Sequence, residues 1–458
     1  MIELPEAFVE RIHRQFGEEA KAFLQALNDP SPVSLRINPT KVTGLSEERV
    51  PWHPSGYYLK ERPIFSQQPW FHAGAYYVQE ASSMVMHALL PELAEGSVVL
   101  DLCAAPGGKS TLLAGALPDF GVLVSNEVIF SRSKVLASNL TRWGNTNCVV
   151  TQNDPADFRG LYKTFDLVLV DAPCSGEGMF RKDPESIGHW SEEAVATCAA
   201  RQRRILADIL PTVRPGGHLI YSTCTYAPAE NEENIAWLLE TFGEEWELSP
   251  VALPEEWGLQ PVAVNGTAHA AYRCLPHRVK GEGLFICRLK KLGEPRERVY
   301  SAHSQHTSKR KRKGIRPEKP VTAAAKQELA QLLENDLDIT WRGEKAFYFP
   351  SALKEILPEL QQHLHLILSG LYLGKAHRNG FTPSHELALT QEVSAQVPTI
   401  SLSLEEAISY LKKEDLKLEK ETGKGWLLAA YEGVPLGWLK SGGGRLKNHF
   451  PVNWRLRN

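Results

Sequence analysis

Val98-Val99-Leu100-Asp101-Leu102-Cys103-Ala104-Ala105-Pro106-Gly107-Gly108-Lys109 decides the fold of this chain. An apolar run that ends in an acid, a proline-glycine turn and a helix-forming stretch mark a buried strand handing over to a crossover helix. The same rhythm continues downstream. Strands are predicted at 98–102, 121–126, 148–152, 167–170 and 218–222, with helices at 109–117, 131–143 and 192–213. Alternation of this kind builds an α/β, Rossmann-like parallel sheet. Residues 283–290 read as a last strand, reached after a long excursion, and suit an antiparallel edge position.

Outward from this block the character of the chain changes. Residues 1–75 mix short helical and strand patterns with many prolines, and Val33-Ser34-Leu35-Arg36-Ile37-Asn38 alternates as a strand should. A small α+β, RNA-recognition-like domain is predicted there, ahead of a catalytic domain at 76–291. The Pro, Gly and charge content of 292–320 marks a basic linker. An intermediate α/β segment is expected at 321–385, followed by a small β-rich module at 386–458.

At 458 residues the chain exceeds one ordinary core, and its 43% hydrophobic and 23% charged content is that of a globular protein. No apolar run reaches the length of a membrane span, and the amphipathic start up to Phe16 is unlike a signal peptide. Seven cysteines, an odd number without a CxxC pair, argue against a disulfide framework and a zinc site and fit a reducing cytoplasm; no metal is expected. The net charge is only −3, but its distribution is uneven. Residues 291–320 carry +7, including Lys309-Arg310-Lys311-Arg312-Lys313, and residues 434–458 carry +5. Basic patches on an otherwise acidic protein suit a surface that follows phosphates.

In an open α/β sheet, ligands bind outside the carboxyl ends of the strands. Gly107 and Gly108 sit at the first such end, where a backbone without Cβ can pass close to a ligand. Glu127 ends the second strand, placed to take the ribose hydroxyls of an adenosine cofactor. Asp154 ends the third and can accept from an adenine amino group. The GxGxxG spacing of dinucleotide enzymes and the Walker pattern are both missing. Acids at successive strand ends favour S-adenosylmethionine instead.

Two cysteines also follow strands: Cys174 in Asp171-Ala172-Pro173-Cys174-Ser175-Gly176, and Cys224 in Tyr221-Ser222-Thr223-Cys224-Thr225. The other cysteines read as core residues, Cys103 as packing against the cofactor loop. A thiol at such a place fits methylation of carbon. C5 of cytosine is a poor nucleophile until a thiolate adds to C6 and makes it enamine-like. A carboxyl such as Asp171 can stabilise the adduct at N3, and loss of the C5 proton with elimination of the thiolate completes the turnover. The base must first leave its stack, at a cost of roughly a few kcal/mol. These residues do not rank Cys174 against Cys224.

The stretches 101–109, 171–176 and 222–225 resemble the Sun/Fmu-type, nucleolar-protein-related RNA cytosine-5 methyltransferases, over about residues 30–290. The resemblance implies S-adenosylmethionine as cofactor, Cys224 as the nucleophile and Cys174 as the thiol of product release. It implies cofactor contacts from Cys103, Ala104, Ala105, Pro106, Gly107, Gly108, Lys109, Glu127, Asp154 and Asp171, with Asp171 also facing the cytosine. Val78-Gln79-Glu80-Ala81-Ser82-Ser83 is similar to the family's stretch before the first strand, which would line the site; a capped helix start is the other reading. Arg36 and Asn38 match the family's Arg-x-Asn, in a structural role or in RNA contact.

The tail resembles a subgroup. Gly374-Lys375 to Pro383-Ser384-His385 and Gly425-Trp426 to Lys447-Asn448 are similar to the carboxyl-terminal extension of the RsmF-type ribosomal RNA methyltransferases, which ends in a PUA-like RNA-binding fold. This implies that 386–458 is PUA-like and that the partner is RNA, small-subunit ribosomal RNA first, rather than DNA or a membrane. The same chemistry on transfer RNA, or a non-catalytic assembly factor on the same scaffold, are the alternatives. No coiled-coil or exposed apolar pattern calls for a dimer, so a monomer is expected.

Overall fold

The computed structural model describes residues 2–294, 321–416, 423–442 and 446–457. Most of the predicted basic linker, with its Lys309–Lys313 run, lies outside the described residues.

A ten-stranded sheet organises the chain. Its centre is five parallel strands in the order Val213–Thr223, Phe165–Asp171, Val98–Asp101, Val122–Asn126 and Cys148–Thr151. Their sequences are nearly unbroken apolar runs because both faces are covered; Val98, Val99 and Leu100 are each fully buried. One face packs on the helices Glu192–Ile209, Glu232–Phe242 and Ser351–His363 through Leu206, Ile209, Ile235 and Leu353. The other packs on Gly108–Ala116 and Phe130–Trp143 through Leu113, Leu136 and Leu140.

From Val98–Asp101 the chain first winds to one side and then returns to the other. The topological switch point therefore falls between the ends of Val98–Asp101 and Phe165–Asp171, the place where open α/β sheets bind ligands.

Two placements differ from expectation. The strand Leu284–Lys291 is antiparallel as predicted, but it is internal, flanked by Val213–Thr223 and Thr267–Cys274. The excursion before it forms Gln260–Val264 and Thr267–Cys274, which pair outside it. Exposed positions, Pro261 and Ala263 in the first and Thr267, Ala268 and His269 in the second, dilute the apolar signal. At the other edge, Leu366–Ser369 adds antiparallel to Cys148–Thr151. The segment expected as an intermediate unit thus gives its middle part, including the helix Ser351–His363, to the central core.

The amino-terminal part carries the helices Glu6–Phe16 and Ala20–Ala26 and a three-stranded antiparallel sheet, Gly56–Leu59, Val33–Ile37 and Tyr76–Tyr77. Arg36 docks it. The residue is 2% exposed, stacks 4.5 Å from the Trp143 ring centroid, and donates to Gln79 Oε1 (2.9 Å) and Thr111 Oγ1 (2.6 Å). Burial lowers its pKa to about 9. Asn38 Nδ2 donates to the Trp143 carbonyl at 2.8 Å, so both residues of the Arg-x-Asn pair join domains. The carboxyl-terminal part forms two four-stranded sheets, the second comprising Thr399–Leu402, Gly425–Tyr431, Val434–Ser441 and Leu446–Asn448.

Arg36→Met strands buried acceptors on Gln79 and the Gly108 turn, each costing about 1–3 kcal/mol. A urea unfolding midpoint lowered by the equivalent of at least about 2 kcal/mol is expected; an unchanged midpoint would contradict the docking role.

Candidate functional site

The loop 103–109, Asp101, Asp171 and the two thiol stretches lie at neighbouring strand ends around the switch point, while Asp154 lies past a strand two places away. The loop 103–109 leaves Val98–Asp101 and crosses the ends of both neighbours: Leu102 N donates to Leu169 O (2.9 Å) and Ala104 N to Asn126 O (2.8 Å). Gly107 has φ +115°, a conformation that favours glycine, and opens the helix Gly108–Ala116. A Cβ on Gly108 would sit 3.3 Å from Tyr77 and 3.6 Å from Gln79. The loop thus lies beside Tyr77 and Gln79, and Gln79 is the part of the 78–83 stretch that reaches it. Arg132 and Asn139 hold the Ala105 and Pro106 carbonyls.

The acids divide by environment. Asp101 is fully buried; Oδ2 accepts from Ser110 Oγ at 2.7 Å, and Oδ1 has no partner among the described residues. Burial raises its pKa to about 7. Glu127 is 4% exposed, accepts from Ile129 N and faces Arg132 Nη1 at 3.4 Å. Asp154 is more open than its predicted role suggests. It caps the turn Pro155–Gly160 through Ala156 N and receives both Arg204 Nη atoms at 3.2 and 3.3 Å. Burial opposes ionisation, but these donors hold its carboxyl below the usual range. Acids with acceptor capacity around a glycine turn fit the ammonium, amino and ribose groups of S-adenosylmethionine.

Asp171 is placed by two neighbours. Lys109 Nζ donates to Oδ2 (2.8 Å) and Ser222 Oγ to Oδ1 (2.7 Å). Burial works against the Lys109 ammonium, but Asp171 outweighs it and its pKa lies above that of an ordinary lysine. Ser222 was not singled out in the sequence. It stands in the Thr-Cys strand directly opposite Asp171 in the parallel register, a pairing that no single stretch reveals.

Beyond these strand ends the two thiols meet. Cys174 Sγ and Cys224 Sγ lie 3.2 Å apart. The Cys174 thiol is pushed well above the ordinary range, first by its hydrogen bond with Cys224 and then by burial. Gly178 N donates to Cys224 O at 2.7 Å; a Cβ on Gly178 would come within 2.4 Å of that oxygen, so the close approach needs glycine. Lys109 lies within electrostatic reach of Cys224. Cys148, Cys274 and Cys287 are buried in the core, and burial raises the pKa of Cys103 beside the loop. The geometry offers two thiols in contact and a cation-paired carboxylate.

Comparison with known proteins covers nearly the whole chain. Residues 87–290 match the family described as 16S rRNA methyltransferase RsmB/F. Residues 4–81, 325–390 and 397–456 match, in turn, the N-terminal domain of 16S rRNA methyltransferase RsmF, the RsmF first C-terminal domain and the methyltransferase RsmF PUA domain. The chain is 32% identical to ribosomal RNA small subunit methyltransferase F of Photobacterium profundum, over 98% of this chain and 96% of that protein. It is 31% identical to the Vibrio atlanticus protein of the same name, over 98% and 97%. A crystal structure of a methyltransferase homolog from Pyrococcus horikoshii superposes with a TM-score of 0.54 at 32% identity, covering 64% of this chain and 96% of that one. The P. horikoshii structure titled NSun6 with SFG has a TM-score of 0.52 at 21% identity, covering 63% and 99%, and shares the fold.

Replacing Cys224 with alanine removes the largest contributor to the raised Cys174 pKa. Alkylation of Cys174 by iodoacetamide at pH 8, followed by peptide mass spectrometry, is expected to become severalfold faster in Cys224→Ala, since the thiolate is the reactive form. An unchanged rate would separate the two thiols in solution.

Proposed function

Because this chain belongs to the RsmB/F family of 16S rRNA methyltransferases, with RsmF-type domains on both sides of the catalytic one, we propose that it methylates C5 of a cytosine in small-subunit ribosomal RNA through a covalent Cys224 adduct. The observation that carries this reading is the 3.2 Å contact of Cys174 and Cys224 beside the Lys109–Asp171 pair. S-adenosylmethionine, when bound, supplies the electrophilic methyl group; the loop 103–109, Glu127, Asp154 and Asp171 would hold it.

Cys224, as thiolate, adds to C6 of the flipped cytosine, and the electron pair pushed to C5 makes that carbon the nucleophile. As the adduct forms, N3 takes up a proton from water, to be given back when the thiolate leaves, and Asp171 accepts from the N3–H so made. Its two oxygens are already held by Lys109 and Ser222, which orients the carboxylate and leaves lone pairs for the base. After the methyl arrives, a base takes the C5 proton, the C5–C6 double bond re-forms and the Cys224–C6 bond breaks. Cys174 is the group in contact with the departing sulfur and serves this release.

The PUA-like domain suits contact with RNA away from the target base, and the enzyme is read as a cytoplasmic monomer. Among the described residues no helix is long and apolar enough to cross a membrane.

Cys224→Ala is expected to lower transfer of tritiated methyl to small-subunit RNA by at least about a thousandfold, the scale of losing a nucleophile, with S-adenosylmethionine affinity by calorimetry retained. Cys174→Ala is expected to build up a protein–RNA adduct, seen as a ribonuclease-sensitive upshift on a denaturing gel. Normal 5-methylcytosine formation by Cys224→Ala would reject the assignment.

A further inference from the structure

Two adjacent residues that take no part in the chemistry hold the thiol loops. Glu230 closes the turn Pro228–Glu230 beyond the Cys224 strand and is fully buried. A buried carboxylate needs donors, and these come from around Cys174. Ser175 N (3.0 Å) and Gln202 Nε2 (2.8 Å) donate to Oε2, and Ser175 Oγ donates to Oε1 (2.5 Å). Gln202 Nε2 also donates to Pro173 O at 3.1 Å. Glu230 therefore fixes Cys174 from both neighbours in sequence, Ser175 directly and Pro173 through Gln202.

Asn231 does the same for the other thiol. Its Oδ1 accepts from Thr223 Oγ1 (2.6 Å) and its Nδ2 donates to Thr225 O (2.9 Å), again the residues on either side of the cysteine. The brackets touch where Ser175 Oγ meets Thr225 Oγ1 at 2.9 Å. The Glu230 bracket is anchored to the sheet and the helices, by Tyr221 OH on the Glu230 carbonyl (2.7 Å) and by Asn234 Nδ2 on Gln202 Oε1 (2.8 Å).

We propose that Glu230 and Asn231 are separate positioning residues for the two thiols, Glu230 setting Cys174 for product release and Asn231 setting Cys224 for attack. The inference rests on the thiol roles given above. Ångström-scale misplacement of a reacting group costs on the order of a hundredfold, so each variant impairs the step of the thiol it holds. Glu230→Ala slows release and leaves attack running. Asn231→Ala slows attack.

The test expresses the full chain in a bacterial host as wild type, Cys174→Ala, Glu230→Ala, Glu230→Gln and Asn231→Ala, and runs each on a denaturing gel with and without ribonuclease. Glu230→Ala is expected to raise the ribonuclease-sensitive adduct at least about tenfold over wild type, and Glu230→Ala/Cys224→Ala to abolish it. Asn231→Ala is expected to show no adduct, and to lower the adduct of Cys174→Ala in the double variant. Glu230→Gln keeps the volume with one acceptor oxygen, and reads the same quantity if the alanine variant does not fold. An adduct in Cys174→Ala but in neither Glu230 variant overturns the proposal, as does equal loss in both brackets, the mark of a merely structural role. No adduct in Cys174→Ala itself overturns the release reading, and this inference with it.

Discussion

The parallel pairing of Phe165–Asp171 with Val213–Thr223 is the constraint on which the site depends. Asp171 stands opposite Ser222, and Ala172 N still bonds to Ser222 O at 2.8 Å, so the two strands end level. Fifty residues separate Cys174 from Cys224 in the chain. Level ends, with Cys174 three residues past one strand and Cys224 one residue past the other, bring their sulfurs into contact. A register slip of one residue would turn every side chain of one strand to the opposite face and take Ser222 away from Asp171.

Around that pairing, charged side chains are held by polar partners. Asp171 has Lys109 and Ser222, Glu177 has Arg11 and Trp190, and Arg36 has Gln79 and Thr111. Such groups gain little net stability once desolvation is counted, but breaking one partner is expensive. Their value here is geometric. Arg11 lies on the first helix, so Glu177, three residues past Cys174, ties the amino-terminal part to the thiol loop.

How much could be read beforehand follows from the range of each signal. The parallel strands are continuous apolar runs and the turns after them hold Gly and Pro, so short windows reveal them. The acid or cysteine after each strand is equally local, which put Glu127, Asp171, Cys174 and Cys224 on the candidate list. Distance is not local. That the thiols touch, that Asp154 already faces Arg204, and that Ser222 meets Asp171 are products of register and helix packing. Leu284–Lys291 reads as an edge strand because the strands beyond it carry a weak apolar signal, and Leu366–Ser369 escapes short windows because nothing in four residues points back to Cys148–Thr151. Glu230 and Asn231 sit in a short turn with no periodicity, and only their burial sets them apart.

That late strand bears on how the chain is made. During synthesis Cys148–Thr151 leaves the ribosome long before Leu366–Ser369 exists, so the nascent catalytic sheet has a bare row of amide and carbonyl groups along one side. Such a row is a template for joining strands of other chains, and contacts between distant segments form slowly. The emerging domain therefore spends its early life as the form most open to chaperone capture, and translation of the carboxyl-terminal part closes it.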